Sequence, residues 1–164
     1  MMDHPAWPEG RQEGREALQN ALLAGLAALR EGQAHTWWWC SPDWADWPLE
    51  HPDLLAGLQA WMLAGGHLKL LAADYRHITA QHPRFVQWRV QWTHRIEARG
   101  VGRSGRDSCP NLCWSPLGGW EVLAAERGVL VSSATPRAVV AWQERFQGLW
   151  ERATPAFPGT TLGL

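Results

Sequence analysis

Apolar residues recur along four stretches of the chain at the spacing of a helix face, every three or four positions. These faces consist of Leu18, Leu22, Leu26 and Leu29 in the first stretch, Leu54, Leu58, Trp61 and Met62 in the second, Phe85, Trp88 and Trp92 in the third, and Val139, Trp142, Phe146 and Leu149 in the last. The pattern predicts four amphipathic helices.

Shorter apolar or aromatic runs between these helices predict strands. They cover residues 34–40, 67–73, 96–101, 120–125 and 128–133. The second strand, the third helix and the third strand follow one another closely, an order that favours a right-handed parallel crossover. Because helices and strands alternate over most of the chain, the sequence predicts an α/β fold: a mixed, largely parallel sheet with helices on both faces.

Glycines, prolines and capping residues set the expected limits of these elements. Residues 1–10 hold several Pro and Gly and predict a flexible N-terminal arm, followed by a single domain over residues 11–164. Asp53 is placed to cap the second helix, and Pro136 to start the last one. Residues 100–111 are rich in Gly, Ser and Pro and predict a flexible loop.

Charge and composition narrow the classes of partner. The net charge of -1 and the pI of about 6.6 give no field that attracts nucleic acid or a membrane, so neither is expected as a partner. No apolar run approaches the roughly 20 residues of a membrane span. Cys40, Cys109 and Cys113 cannot all pair within one chain and no secretory leader opens the sequence, so a reducing cytoplasm is expected.

Tryptophan is unusually frequent, with 13 residues against one Tyr and three Phe. Each indole carries a large apolar area and one N–H that needs a partner when buried. Two interpretations stay open. The rings line a surface groove or an interface, or they fill the core where other chains use Phe or Leu.

The order of elements resembles one half of a phospholipase D-like domain. Residues 17–42, ALQNALLAGLAALREGQAHTWWWCSP, resemble the opening helix and strand of that superfamily, and residues 53–74, DLLAGLQAWMLAGGHLKLLAAD, resemble its second helix and strand. Residues 82–99, HPRFVQWRVQWTHRIEAR, look like an uncharacterised proteobacterial branch. Enzymes of the superfamily assemble one site from two halves, so the resemblance implies a homodimer.

The catalytic signature of that superfamily, His-x-Lys followed by four residues and Asp, is present as His67, Lys69 and Asp74. Residues i and i+2 of a strand point the same way, so a nucleophilic histidine and a phosphate-holding lysine would face one phosphoryl group. In the family's enzymes, however, the motif lies on a later strand and precedes a Gly-Ser-x-Asn segment that this chain lacks there. The resemblance therefore implies a half-domain whose catalytic motif is lost, and no catalytic residue is assigned.

A ligand-binding site is predicted beyond the second strand, because ligands of α/β sheets bind at the carboxyl ends of strands. Its predicted residues are Asp74, His82, Arg84 and Arg89. Free amides at the start of the third helix favour an anion, and guanidinium groups suit phosphate or carboxylate. The alternative is that His82 packs the helix start and the arginines are ordinary solvated side chains. The isolated Cys109-x3-Cys113 pair does not predict a metal site, and no cofactor is predicted.

The sequence thus leads to three functional hypotheses. The preferred one is a non-catalytic phospholipase D-like domain that binds a protein partner or an anionic, phosphorylated ligand. The second is a homodimeric phosphodiesterase that uses His67 and Lys69. The third is a structural interaction protein with a Trp-rich interface.

Overall fold

The computed structural model describes residues 6–159. The strands are β1 (Gly10–Gln12), β2 (Thr36–Ser41), β3 (His67–Ala72), β4 (Ile96–Gly100), β5 (Leu112–Ser115), β6 (Gly118–Ala124), β7 (Val129–Ser133) and β8 (Thr154–Pro155). The α-helices are α1 (Ala17–Glu31), α2 (Pro52–Leu63), α3 (Arg76–Gln81), α4 (Pro83–Gln91) and α5 (Pro136–Trp150).

Within residues 6–159 the eight strands form one sheet in the order β1-β7-β6-β5-β2-β3-β4-β8. β2 pairs in parallel with β3, and β3 with β4, which confirms the predicted crossover. All other neighbours in the sheet are antiparallel. The predicted mixed α/β sheet is therefore confirmed, but the prediction that it is largely parallel is wrong. The difference comes from β1, β5 and β8, three strands of at most four residues that were not predicted and that all pair antiparallel.

Helices cover both faces of the sheet. One core contains the apolar sides of α1, α2 and α4, which pack on Trp37, Trp39 and Trp120 of the sheet. The second core lies on the opposite face, where α5 covers Leu71 and Trp114. The two cores separate because successive side chains of a strand point to opposite faces.

The tryptophans mainly build the core. All 13 lie within the described residues, and all but Trp38 and Trp92 are buried. Trp37 makes edge-to-face contacts with Trp39 and Trp61, at centroid distances of 5.1 and 6.1 Å. Pairs with this geometry add roughly 0.5–1.5 kcal/mol beyond the area they bury. The structure therefore favours the core interpretation of the tryptophan excess over an extended aromatic interface.

The predicted start of the last helix is confirmed, whereas the residue that caps α2 differs from the predicted one. The side chain of Thr135 caps α5, directly before the predicted Pro136. In α2 the capping residue is His51, whose Nδ1 accepts from the Asp53 amide at 3.2 Å. Asp53 lies one position inside the first turn, where an acidic side chain is still favoured by the helix dipole.

Two short helices lie outside the predicted ones. α3 precedes α4, and a 3-10 helix over Arg103–Ser108 lies within the predicted loop of residues 100–111. An ion pair between Arg106 and Asp43 joins the 3-10 helix to the loop after β2.

The described part of the N-terminal segment is packed on the protein through Trp7. Trp7 is 5% exposed, and its indole N–H donates to the Gly119 carbonyl at 3.1 Å. Its ring lies directly on Gly118, where an added Cβ would approach Trp7 Cγ to 2.3 Å. The predicted flexible arm covers residues 1–10, of which 1–5 lie outside the described residues, as do residues 160–164 of the predicted domain.

None of the helices within residues 6–159 combines the length and the apolar composition that crossing a bilayer requires.

We expect Trp7→Ala to lower the free energy of unfolding by about 3–5 kcal/mol, because it removes a buried ring and leaves a cavity against the sheet. Leu123→Ala is the control, since Leu123 is 57% exposed and its truncation should cost within about 0.5 kcal/mol. Urea unfolding measures both. Equal small losses would show that the segment is not packed in solution.

Candidate functional site

The structure places the four predicted ligand-binding residues apart from one another. Asp74 follows β3, and His82 lies between α3 and α4. Arg84 and Arg89 lie in the first and last turns of α4. These positions give no single cluster at the carboxyl ends of the parallel strands.

The Asp74 carboxylate is occupied by a neighbour. Arg76 donates to it through Nε at 2.9 Å and through Nη2 at 2.6 Å. These side-chain hydrogen bonds hold the pKa of Asp74 below its usual value. A carboxylate with a bidentate guanidinium partner has little capacity left for a ligand.

The start of α4 is occupied by Glu50 of the loop before α2. Glu50 Oε1 accepts from the backbone amides of Arg84 at 2.7 Å and Phe85 at 3.2 Å. Free amides and the helix dipole make a helix start an anion site, and here the anion is a side chain of the chain itself. Arg84 is exposed and adds no convergent group there.

His82 packs against the protein. Its ring lies 5.3 Å from that of His77, and neither ring nitrogen has a hydrogen-bond partner among the described residues. Burial, together with the nearby His77, lowers the pKa of His82. These contacts favour the packing role that the sequence left open as the alternative.

Arg89 is a buried cation without a carboxylate partner among residues 6–159. Its guanidinium donates to the Phe157 carbonyl at 3.3 Å and to Thr93 Oγ1 at 3.4 Å, both long hydrogen bonds. Burial lowers its pKa. Burying a charge is costly unless it is compensated, so Arg89 is the predicted residue whose surroundings most clearly call for an anion.

Arg89 lines a groove of about 670 Å³ at the outer edge of β4. We call this the basic groove. Its ionisable lining residues are His67, Lys69, Arg89, His94, Arg95 and Glu97. The edge is open because β8 pairs only with the last two residues of β4. Five basic side chains therefore surround one groove with a single acid.

Glu97 is the register partner of Lys69 on β4, but the two side chains form no ion pair. Glu97 forms an ion pair with Arg99 at 3.2 Å, and within the described part of the chain no carboxylate is paired with the Lys69 ammonium. Lys69 instead lies between two rings, 6.0 Å from the Trp38 centroid and 5.9 Å from the Trp150 centroid. It is the single lysine of the chain.

The signature residues His67, Lys69 and Asp74 do not form one site. The burial pattern of β3 places His67 and Lys69 on the same face of the strand, where both line the basic groove. Asp74 lies beyond the opposite end of β3. The structure thus brings two of the three together, as neighbours in a groove that carries several other basic residues.

The sequence offered His67 and Lys69 as a catalytic motif, and Arg95 was not among the predicted ligand-binding residues. Arg95 lines the groove and donates to the Met62 carbonyl at 2.8 Å. The available signal was the i, i+2 spacing of His67 and Lys69 on a strand, which places both side chains on one face.

Comparison with known proteins gives a likeness in fold to a solved structure. No protein-family model matches the chain, and the curated proteins give no match. Among solved structures, the chain is similar to TrmBL2, described as an archaeal chromatin protein that shows a novel mode of DNA binding. The TM-score is 0.60 at 14% sequence identity, over 88% of this chain and 52% of that one. The chain thus spans about half the length of the protein it matches.

Two predictions are corrected by this comparison. The predicted membership of the phospholipase D-like superfamily is wrong, because the structural likeness is to TrmBL2 and no family model supports the superfamily. The prediction that nucleic acid is not a partner is contradicted as well, since the protein with the similar fold is one that binds DNA.

We expect Glu50→Ala to lower the free energy of unfolding by about 1–2 kcal/mol, because the first amides of α4 lose their acceptor. Glu144→Ala removes the same side chain from an exposed position of α5 and should change stability by less than about 0.5 kcal/mol. Urea unfolding compares the two. A loss no larger for Glu50→Ala than for Glu144→Ala would contradict the capping role.

Proposed function

We propose that the protein is a non-catalytic binding domain that holds the phosphate groups of a ligand in the basic groove. The observation that carries the proposal is Arg89, a buried guanidinium with no carboxylate partner among the described residues, in the wall of an open groove. A bound phosphate would supply the missing negative charge.

The other charges of the groove support the same conclusion. Lys69 is unpaired within residues 6–159, and Arg95 donates only to a backbone carbonyl. Guanidinium and ammonium groups bind phosphate through charge-assisted hydrogen bonds, which are about twice as strong as neutral ones. Because the net charge of the chain is only -1, attraction of an anion has to come from this local concentration of basic groups.

Nucleic acid is the phosphorylated ligand class that the fold comparison favours. TrmBL2 is described as binding DNA, and we extend that property to this chain as part of the proposal. The basic groove supplies the local electrostatic contacts to phosphates that such binding requires.

The arrangement offers less support for the other two hypotheses. A phosphodiesterase would need His67 and Lys69 to act with a third group, and Asp74 is held by Arg76 beyond the other end of β3. An interaction protein with a Trp-rich interface would need exposed rings, and only Trp38 and Trp92 among the 13 tryptophans are not buried.

We also propose a cytoplasmic setting for this binding. Cys40 and Cys109 are buried with their sulfur atoms 3.5 Å apart, and both are free thiols. Burial is the main cause that raises the pKa of Cys40 well above its usual value, which keeps the thiol protonated. Close, protonated thiols are compatible with a reducing compartment.

We expect Lys69→Gln to weaken the binding of inorganic tripolyphosphate about tenfold, because a charge-assisted hydrogen bond to phosphate is lost. Isothermal titration calorimetry at low salt measures the dissociation constant. Arg137→Gln is the matched control: it removes one positive charge from an exposed position of α5 outside the groove, and binding should stay within about twofold. Equal weakening by both variants, or no binding by the unaltered protein, would contradict the proposal.

A further inference from the structure

Beside the basic groove, the face of the sheet under α5 presents one tryptophan that is not buried. Trp38 of β2 is only partly covered, and its ring stacks on Trp114 with centroids 3.8 Å apart and planes 8° from parallel. Trp114 is buried and also contacts Phe146 of α5. The core thus fixes the orientation of the Trp38 ring, so that an aromatic surface is formed before any ligand arrives.

Cations and rings alternate along this face. Trp38 is the register partner of Lys69 on the neighbouring strand, Lys69 lies between Trp38 and Trp150, and the Arg99 guanidinium lies 4.3 Å from the Trp150 ring. Aromatic rings that accept bases, next to cations that follow a phosphate backbone, are the common features of single-strand binding sites.

We infer that the ligand of this site is a single-stranded nucleic acid, whose phosphates occupy the basic groove while a base stacks against Trp38. The inference rests on the proposed function, since it names the ligand of the same groove. It assigns to Trp38 the recognition of a base, which the proposed function does not include.

The shape of the site favours a single strand over a duplex. Bases of a duplex are stacked inside it, and proteins read their edges by inserting a protruding helix or ribbon into a groove. Here the basic residues line a groove of about 670 Å³, a volume within the range of about 300–1,000 Å³ for sites that hold small molecules. Such a groove has room for one or two nucleotides of a single-stranded nucleic acid whose bases are unstacked and turned outward.

The test compares fluorescein-labelled strands of about ten nucleotides, a length within the 4–16 nucleotides typical of single-strand sites. The probes are oligothymidine, an abasic strand of equal length, a duplex of equal length and an oligoglutamate peptide. Fluorescence anisotropy gives dissociation constants for the unaltered protein, Lys69→Gln, Trp38→Leu and Trp38→Phe. Urea unfolding of each variant confirms that it is folded at the assay temperature.

We expect oligothymidine to bind at least about fivefold more tightly than the abasic strand, since stacking of one base contributes this much or more. Trp38→Leu should abolish that ratio, while Trp38→Phe, which keeps a ring, should retain part of it. Lys69→Gln should weaken both strands by a similar factor.

Equal binding of oligothymidine and the abasic strand would overturn the inference and leave the proposed function intact. Tighter binding of the duplex, or equal binding of oligoglutamate, would overturn it as well, because the site would then recognise a helix or negative charge alone. Absence of binding to every strand and to tripolyphosphate would remove the proposed function itself.

Discussion

Three consecutive tryptophans on the central strand β2 set the constraint on which both the core and the proposed site depend. Successive side chains of a strand point to opposite faces, so Trp37 and Trp39 enter the core beneath α1 and α2, where both are fully buried. Trp38 necessarily points to the other face and stacks on Trp114. A shift of β2 by one residue would exchange these faces and remove two large rings from the core beneath α1 and α2. The register of the sheet and the position of the aromatic surface beside Lys69 are therefore fixed by the same interaction.

The sequence allowed the centre of the fold to be predicted better than its edges. The second and third strands and the helix between them were evident from apolar patterns, and β3 and β4 are indeed parallel. β5 was not predicted, because Leu112–Ser115 is only four residues long and is buried throughout. It therefore lacks the alternation of apolar and polar residues that marks a half-buried strand. β1 and β8 are two or three residues long and exposed or nearly so, and only their partners in the sheet define them. The pairing of β1, β5 and β8 determines whether the sheet is mostly parallel or mostly antiparallel. Local sequence patterns do not encode which strands pair.

The candidate site was predicted only in part for a similar reason. Arg89 was predicted and lies in the wall of the basic groove, while Asp74 and Arg84 were expected beside it and are not. Their surroundings depend on distant contacts: the anion at the start of α4 is Glu50, which is 34 residues from Arg84. Likewise His67 and Lys69 belong to the groove because the edge of β4 is left open by a two-residue β8. The spacing of a motif predicted that these two side chains share a face, and only the sheet order shows what lies next to that face.

In the proposed function Lys69, which has no carboxylate partner among residues 6–159, is held beside Trp38 and Trp150 for a phosphate to bind. Because Lys69 is the single lysine of the chain, reductive methylation with carbon-13 formaldehyde gives one side-chain signal, identified by its loss in Lys69→Gln, and methylation keeps the positive charge. We expect this signal to be displaced by the ring currents of the two indoles and to move, with saturation, when tripolyphosphate is added. A signal at the position of an exposed lysine that stays unchanged throughout the titration would contradict the proposal.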